Sequence, residues 1–363
     1  MSKKGVTLLA LILIISANIA ACSKTENKVE IPADSIIDNE VIIEDDIDEE
    51  TVKIEEKGNE NDVEIKDGVI SPLSGIIVEK SRVDRRPVAI MFDNHPRARW
   101  QAGLSQAEIV YEFLVEAPYT RYMGIFLVNE PELIGPVRSA RPYFITTLLE
   151  YDPLYVRCGG SEAAKADVKK YKVADIDGLY SGAFWRYRKT GKKEPNNLYT
   201  SMEAIRKEQD RLKYRQDSNY KALKFNKSDL DIEGFKAENI VIKYNKNNTT
   251  KYVYDSETKV YKRYKDGKLH IDEFDKTQIV AKNIIIQEAK TKVLDNEGRL
   301  YIQLIGKGKG MYITNGKAKN ITWSKESINS RTIYYDEAGE EIKLNPGVTW
   351  IQVTRLKPSI EIK

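Results

Sequence analysis

The sequence predicts an α+β protein: mixed β-sheet layers with packed helices in the N-terminal half, and mostly antiparallel β-structure in the C-terminal half. Three observations predict it. The aromatic residues are skewed to 21 Tyr against 8 Phe and 4 Trp, a composition that suits half-exposed strand surface better than helical core. The N-terminal half alternates short apolar runs with helical patterns. The C-terminal half repeats glycine-containing turn dipeptides between β-branched and aromatic runs. The 363 residues suffice for about two domains at roughly 100–200 residues each. At 41% apolar and 31% charged residues, wholesale disorder is excluded. With 2 Cys and 2 His, so are a disulfide framework and a thiolate or imidazole metal cage.

The first element is an address. Lys3 and Lys4 precede an apolar run and small residues ending in Ile19-Ala20-Ala21-Cys22, the layout of a secretory signal over residues 1–21. Val6–Ala21 spans 16 residues, short of the ~20 needed to cross a bilayer. The final tetrad looks like a bacterial lipobox, so Cys22 is expected to carry diacylglycerol, and two acyl chains meet the requirement for stable anchoring. Residues 22–70 read as an acidic tether without aromatic residues. From Ser23 to Ile70 there are 17 Asp and Glu against 5 Lys, a net of −12, ahead of a body of about +13. Such a segment buries too little apolar surface to order itself and repels its own charges outward. The expected location is the extracytoplasmic face of a cell membrane, where ATP and NAD are not expected, so no cofactor is assigned.

The body divides into an N-terminal α+β part, residues 71–233, and a C-terminal β-rich part, residues 234–363. Pro87–Asp93 is a continuous apolar run emptying into Asp93-Asn94-His95-Pro96, the pattern of a buried strand and its loop. Strands are expected over 107–115 and 121–128. A helix is expected from the Arg138–Pro142 region to about Leu149, with Pro142 in its first turn. A strand over 153–157 leads through Gly159-Gly160-Ser161 into a helix over 162–170. The last helix, from Ser201 to about Leu212, has Thr200 three residues before Glu203, a capping-box spacing. Beyond the bridging segment 213–234, Asp266-Gly267, Asn315-Gly316 and Ala338-Gly339 mark tight turns. Gly306-Lys307-Gly308-Lys309-Gly310 lacks the strand–loop–helix context and terminal Lys-Ser/Thr of a phosphate loop and reads as a glycine-rich strand junction.

Several of these segments carry a resemblance. Arg86–Met91, Asp93–Pro96, Arg97–Leu104, Ile109–Glu112, Thr120–Met123, Gly135–Tyr143 and Asn197–Ser201 resemble the YerB-like lipoprotein family, a domain-of-unknown-function group with an N-terminal and a C-terminal part. The likeness runs from about Pro72 to the carboxyl end, and the octet Gly135-Pro136-Val137-Arg138-Ser139-Ala140-Arg141-Pro142 is its most specific motif. It implies a mixed α+β body on an extracytoplasmic lipoprotein and brings no established activity. One departure stands out: family members tend to have His where this chain has Asn196.

Chemistry concentrates in the N-terminal part. Arg138 and Arg141, three apart at an expected helix start, can share a face, and backbone N–H groups there would favour an anion. With Asp93, Asn94, Arg121, Ser139 and Asn197 they form a candidate site for a carboxylate or phosphate ligand. The competing reading pairs these arginines with Asp93, Glu112 or Glu116 as an internal lock. Asp93 with Glu112 or Glu116 could instead serve as acid and base in glycan cleavage, although no glycosidase motif is present. Cys158 ends a strand and reads as a small buried hydrophobe rather than a nucleophile. Phe184-Trp185-Arg186-Tyr187-Arg188 offers either a stacking platform for sugars or a Trp packed on loop arginines. No metal site is assigned.

The reading that results is a membrane-anchored binding protein without catalysis. Its partners are the membrane through Cys22 and an anionic envelope polymer, peptide or protein. The external address argues against nucleic acid. The alternative is an envelope-polymer hydrolase using paired carboxylates.

Overall fold

The computed structural model describes residues 68–363; the expected signal peptide, Cys22 and nearly all of the acidic tether lie outside them. The main sheet grows around β1 (Val88–Asp93), the continuous apolar run, whose residues Val88–Phe92 are all fully buried. A strand without polar alternation has both faces covered, and β1 sits well inside an 11-stranded sheet. It pairs antiparallel with β3 (Thr120–Phe126), which pairs antiparallel with β2 (Ile109–Leu114). On its other side β1 runs parallel to β4 (Leu154–Arg157), and β4 parallel to β5 (Ala174–Asp177). Helices α1 (Pro142–Leu148) and α2 (Glu162–Lys170) fill the crossovers, as parallel pairing requires. Helix α3 (Met202–Arg211) follows.

The C-terminal part enters the same sheet. β9 (Asn283–Glu288), β10 (Gly306–Thr314), β11 (Lys317–Lys325) and β12 (Thr349–Thr354) extend it in the order β11-β10-β9-β12-β2. β12 is parallel to both β9 and β2, so the segments on either side of residue 233 share one continuous ladder. A second, antiparallel sheet has the path β8-β7-β6-β13, built from β6 (Asn239–Asn245), β7 (Asn248–Asp255), β8 (Val260–Lys265) and β13 (Ser359–Ile362). The mixed sheet and antiparallel hairpins agree with the α+β expectation.

Period-two alternation sorts the core into two layers. Tyr111, Ile285 and Ile351 pack with α1 and α2, whereas Val110, Ile284, Ile286 and Trp350 pack with Ile240, Ile242, Tyr252 and Tyr261 of the second sheet and with Met202 and Ile205 of α3. The main sheet is therefore sandwiched between helices and a smaller sheet.

Three local expectations are revised. The N-cap of α3 is Ser201, whose hydroxyl accepts from the Ala204 N–H at 3.1 Å; Thr200 instead bonds the Ala183 carbonyl. The glycine run is the start of strand β10 itself, with the Trp323 side chain pressed against Gly308. Arg138 and Arg141 do not share a helix face. Arg138 lies in an extended segment that bridges to Phe92 through Val137, and Arg141 caps a helix whose first residue is Pro142. Among the described residues no helix is long and apolar enough to cross a membrane.

Candidate functional site

Three parallel strands end together. β1 finishes at Asp93, β4 at Arg157 and β5 at Asp177, and the carboxyl ends of such strands are where open α/β sheets place ligands. The octet segment threads across this edge: the Arg138 N–H bonds the Met91 carbonyl, the Cys158 N–H bonds the Arg138 carbonyl, and Ala140 bridges Gly160. Arg157 is spent on structure, forked onto Asp175 at 2.7 Å twice and 2.8 Å from Asp177. Asp177 in turn accepts the Gly159 and Leu179 N–H groups.

Asp93 is buried, and its carboxylate accepts from the His95 N–H at 3.0 Å and from the Asn196 side-chain amide at 2.7 Å. Asn196, where the resemblance leads one to expect His, thus supplies an amide that donates to Asp93. Arg138 stands 3.4 Å from Asp93, with its side chain 31% exposed. Its Nε is buried without a hydrogen-bond partner, and among the described residues its guanidinium donates no hydrogen bond. Arg121 faces Asp93 across the β1/β3 ladder and donates to the Ser139 carbonyl at 2.6 Å and to the Ser139 hydroxyl at 3.4 Å. No carboxylate lies within ion-pair distance of it among the described residues. Burial, followed by the neighbouring Arg141 charge, lowers its pKa to about 10.

The two arginines of the octet therefore part company. Arg141 is committed: it bonds Glu116 at 2.5 Å and the Ala140 carbonyl at 2.7 Å. Arg138 is held loosely and keeps donors in reserve. Asn94 serves positioning, donating to Thr120 and accepting from Arg99. Asn197 holds Arg186, accepting from it at 3.1 Å, while its amide donates to the Lys192 carbonyl.

Glu112 lies elsewhere. It faces the second sheet and is fully buried, with Arg263 at 2.5 Å, Lys265 at 3.0 Å, and bonds from Thr120 and Thr250. The proposed pairing of Asp93 with Glu112 as acid and base has no shared cleft, because Glu112 is sealed between the layers. Burial pushes the Glu112 carboxyl upward, but Lys265 and Arg263 override it and hold its pKa at about 2. Burial lowers Lys265 to about 8 despite Glu112. Glu116, the other partner considered, is tied to Arg141.

This inter-sheet cluster escaped the sequence reading. The Arg263 guanidinium sits 4.2 Å from the Trp350 ring centre and donates to His270 Nδ1 at 2.5 Å. Because Arg only donates, His270 is the Nε2–H tautomer and donates to Gln101, whose amide bonds the Asp93 carbonyl. Burial, then the Arg263 charge, pushes the His270 pKa well below 6.5. A continuous hydrogen-bonded path therefore runs from Glu112 to the backbone of Asp93. The one signal for it was Tyr261, Arg263 and Lys265 falling on one face of a strand.

Grooves of about 400–490 Å³ open on other parts of the surface, lined for example by Lys243, Tyr244, Arg355 and Leu356, or by Lys307, Gly308 and Trp323.

Comparison with known proteins fits this architecture. Residues 73–215 match the family described as "Protein of unknown function (DUF3048) N-terminal domain", and residues 240–351 match its C-terminal domain. The chain is 36% identical over 290 residues to the Bacillus subtilis (strain 168) protein named "Putative lipoprotein YerB", covering 78% of this chain and 85% of that one. The crystal structure of YerB from Bacillus subtilis superposes with a TM-score of 0.74 at 33% identity, over 81% of this chain and 99% of that chain. Two matched segments joined in one sheet and a 36% identical relative whose namesake structure shares the fold lead to one conclusion: the chain belongs to the DUF3048 family.

Proposed function

We propose that this lipoprotein is a non-catalytic binding protein, anchored through diacylglycerol on Cys22 at the extracytoplasmic face, whose Arg138 face captures an anionic envelope ligand. One observation carries the reading: Arg138 presents a half-exposed guanidinium with unused donors beside the under-compensated Arg121. A carboxylate or phosphate is the group that satisfies such donors best. Asp93, which would have to act alone as the catalytic carboxylate, is already occupied by Asn196, His95 and Arg138.

The test uses purified cell wall as probe. The parent chain is expected to sediment with it and to release no soluble product, and Arg138→Ala should weaken capture about 10- to 100-fold, the worth of hydrogen bonds to a charged group. Steady product release by the parent, abolished by Asp93→Asn, would replace binding with hydrolysis.

A further inference from the structure

The segment that follows β5 leaves three large apolar side chains uncovered within seven residues: Leu179 at 55%, Tyr180 at 84% and Trp185 at 38% exposure. Single exposed apolar residues are ordinary, but a cluster rimmed by polar groups marks a contact surface. The segment is held in shape rather than loose. The Phe184 ring packs on Gly178, Tyr180 N–H bonds the Asp177 carbonyl, and Trp185 pairs with Tyr199 in a two-stranded ribbon.

This apolar cluster adjoins the guanidinium face. Leu179 lies over Gly159, one residue from Cys158, whose backbone N–H bonds Arg138. Asp177 accepts the N–H groups of Gly159 and Leu179 beside Cys158. On the ribbon, Arg186 follows Trp185 and bonds Asn197, and the neighbouring Asn196 bonds Asp93, the partner of Arg138. Around this face Arg138, Arg141 and Arg186 pair with Asp93, Glu116 and Glu194, and Arg157 with Asp175 and Asp177, while Arg121 has no carboxylate within ion-pair distance among the described residues. The face thus combines exposed apolar rings with a half-exposed Arg138 guanidinium that donates no hydrogen bond among the described residues.

We infer that the ligand of this face is an acidic saccharide, its carboxylate taken by Arg138 and the apolar face of its ring stacked on Trp185 and Tyr180. The inference rests on the anion-binding reading above and narrows it. A sugar-free polyanion such as a glycerol phosphate chain has no use for the rings, and a neutral sugar has no use for the guanidiniums. A saccharide bearing a carboxylate satisfies both, with hydroxyls left for the Arg186 side chain. The few precisely oriented polar groups beside an apolar surface are the usual recipe for small-ligand orientation.

The experiment is calorimetric titration of the full-length chain in detergent with four probes. These are the N-acetylglucosamine–N-acetylmuramic acid disaccharide, trigalacturonate, the neutral disaccharide chitobiose, and a glycerol phosphate oligomer. The lactyl-bearing disaccharide or trigalacturonate is expected to bind, and which of them binds identifies the source of the carboxylate. Chitobiose should bind at least about tenfold more weakly, since it offers no charge-assisted bond. Trp185→Ala should weaken the acidic sugar about tenfold, the size of an aromatic contact with its buried area, and Trp185→Phe should retain most binding, which separates loss of the ring from loss of the fold. Glycerol phosphate binding that needs Arg138 but ignores Trp185 would overturn the saccharide and leave the anion reading standing. Failure of every anionic probe would overturn both, and equal binding of chitobiose and the acidic sugars would overturn the role of the charge.

Discussion

Replacing Glu112 with Gln tests the inter-sheet cluster directly. The substitution keeps shape and removes the charge that Arg263 and Lys265 share, with all three side chains fully buried. Two routes give its cost. A carboxyl pKa that falls from 4.5 to about 2 corresponds to about 3 kcal/mol of folded-state stabilisation at roughly 1.4 kcal/mol per pH unit. Stripping one partner from a buried ion pair costs about 3–5 kcal/mol, because the remaining charge is stranded. The routes agree, so Glu112→Gln should lose about 3–5 kcal/mol at pH 7 in guanidinium unfolding of the full chain. The sign with pH follows. A depressed carboxyl pKa contributes fully above 4.5 and is lost as pH falls toward 2, so the gap between parent and variant should close on acidification through that window. Lys265, lowered by its own burial, bears a cost for its charge, and adding Lys265→Met to Glu112→Gln should recover part of the loss. A loss below about 1 kcal/mol at pH 7, or a gap unchanged down to pH 2.5, would refute this account of a desolvated pair.

Two further predictions concern stability. His270 stays neutral in the folded chain while its unfolded form takes a proton below about 6.5, so stability should fall as pH drops through 6.5. His270→Gln should flatten that limb by up to about 1.4 kcal/mol per pH unit, read from unfolding midpoints between pH 7 and 5. Gly308→Ala puts a Cβ about 2.4 Å from Trp323 Nε1, displacing an indole that donates to the Glu288 carbonyl at 2.9 Å. The expected loss is about 1–3 kcal/mol for overpacking, with an altered near-ultraviolet dichroism of Trp323; an unchanged melting temperature would contradict the close approach.

Local signals were the legible part of this chain. Gly159-Gly160-Ser161 ahead of Glu162, with Lys169 and Lys170 at the far end, marks both ends of α2, because caps and end charges act within one turn. Asn315 and Gly316, at φ 48° and 74°, form the left-handed turn that their types favour. The cap of α3 shifted by one residue because Ser201 and Thr200 are equally competent chemically, and only the bridge from Thr200 to Ile134 decides between them. In the candidate site, Asp93, Arg121, Arg138 and Ser139 stand out in the sequence because they cluster near specific motifs, and the fold brings them together. The partners of Glu112 were not, since Arg263 stands 151 residues away on a strand of another sheet. Long-range register of that kind leaves no local trace: the alternation of Tyr261, Arg263 and Lys265 shows a face but not what that face meets.

The placement of β12 has a consequence for how the chain is made. The strand at 349–354 is a keystone between β2 and β9, yet it is synthesised long after β2. Until Thr349 emerges, Ile109–Leu114 has its outer rim of amide and carbonyl groups bare and adhesive. A message that stops short of this codon would yield a protein with a missing central plank, a ready substrate for quality-control proteases.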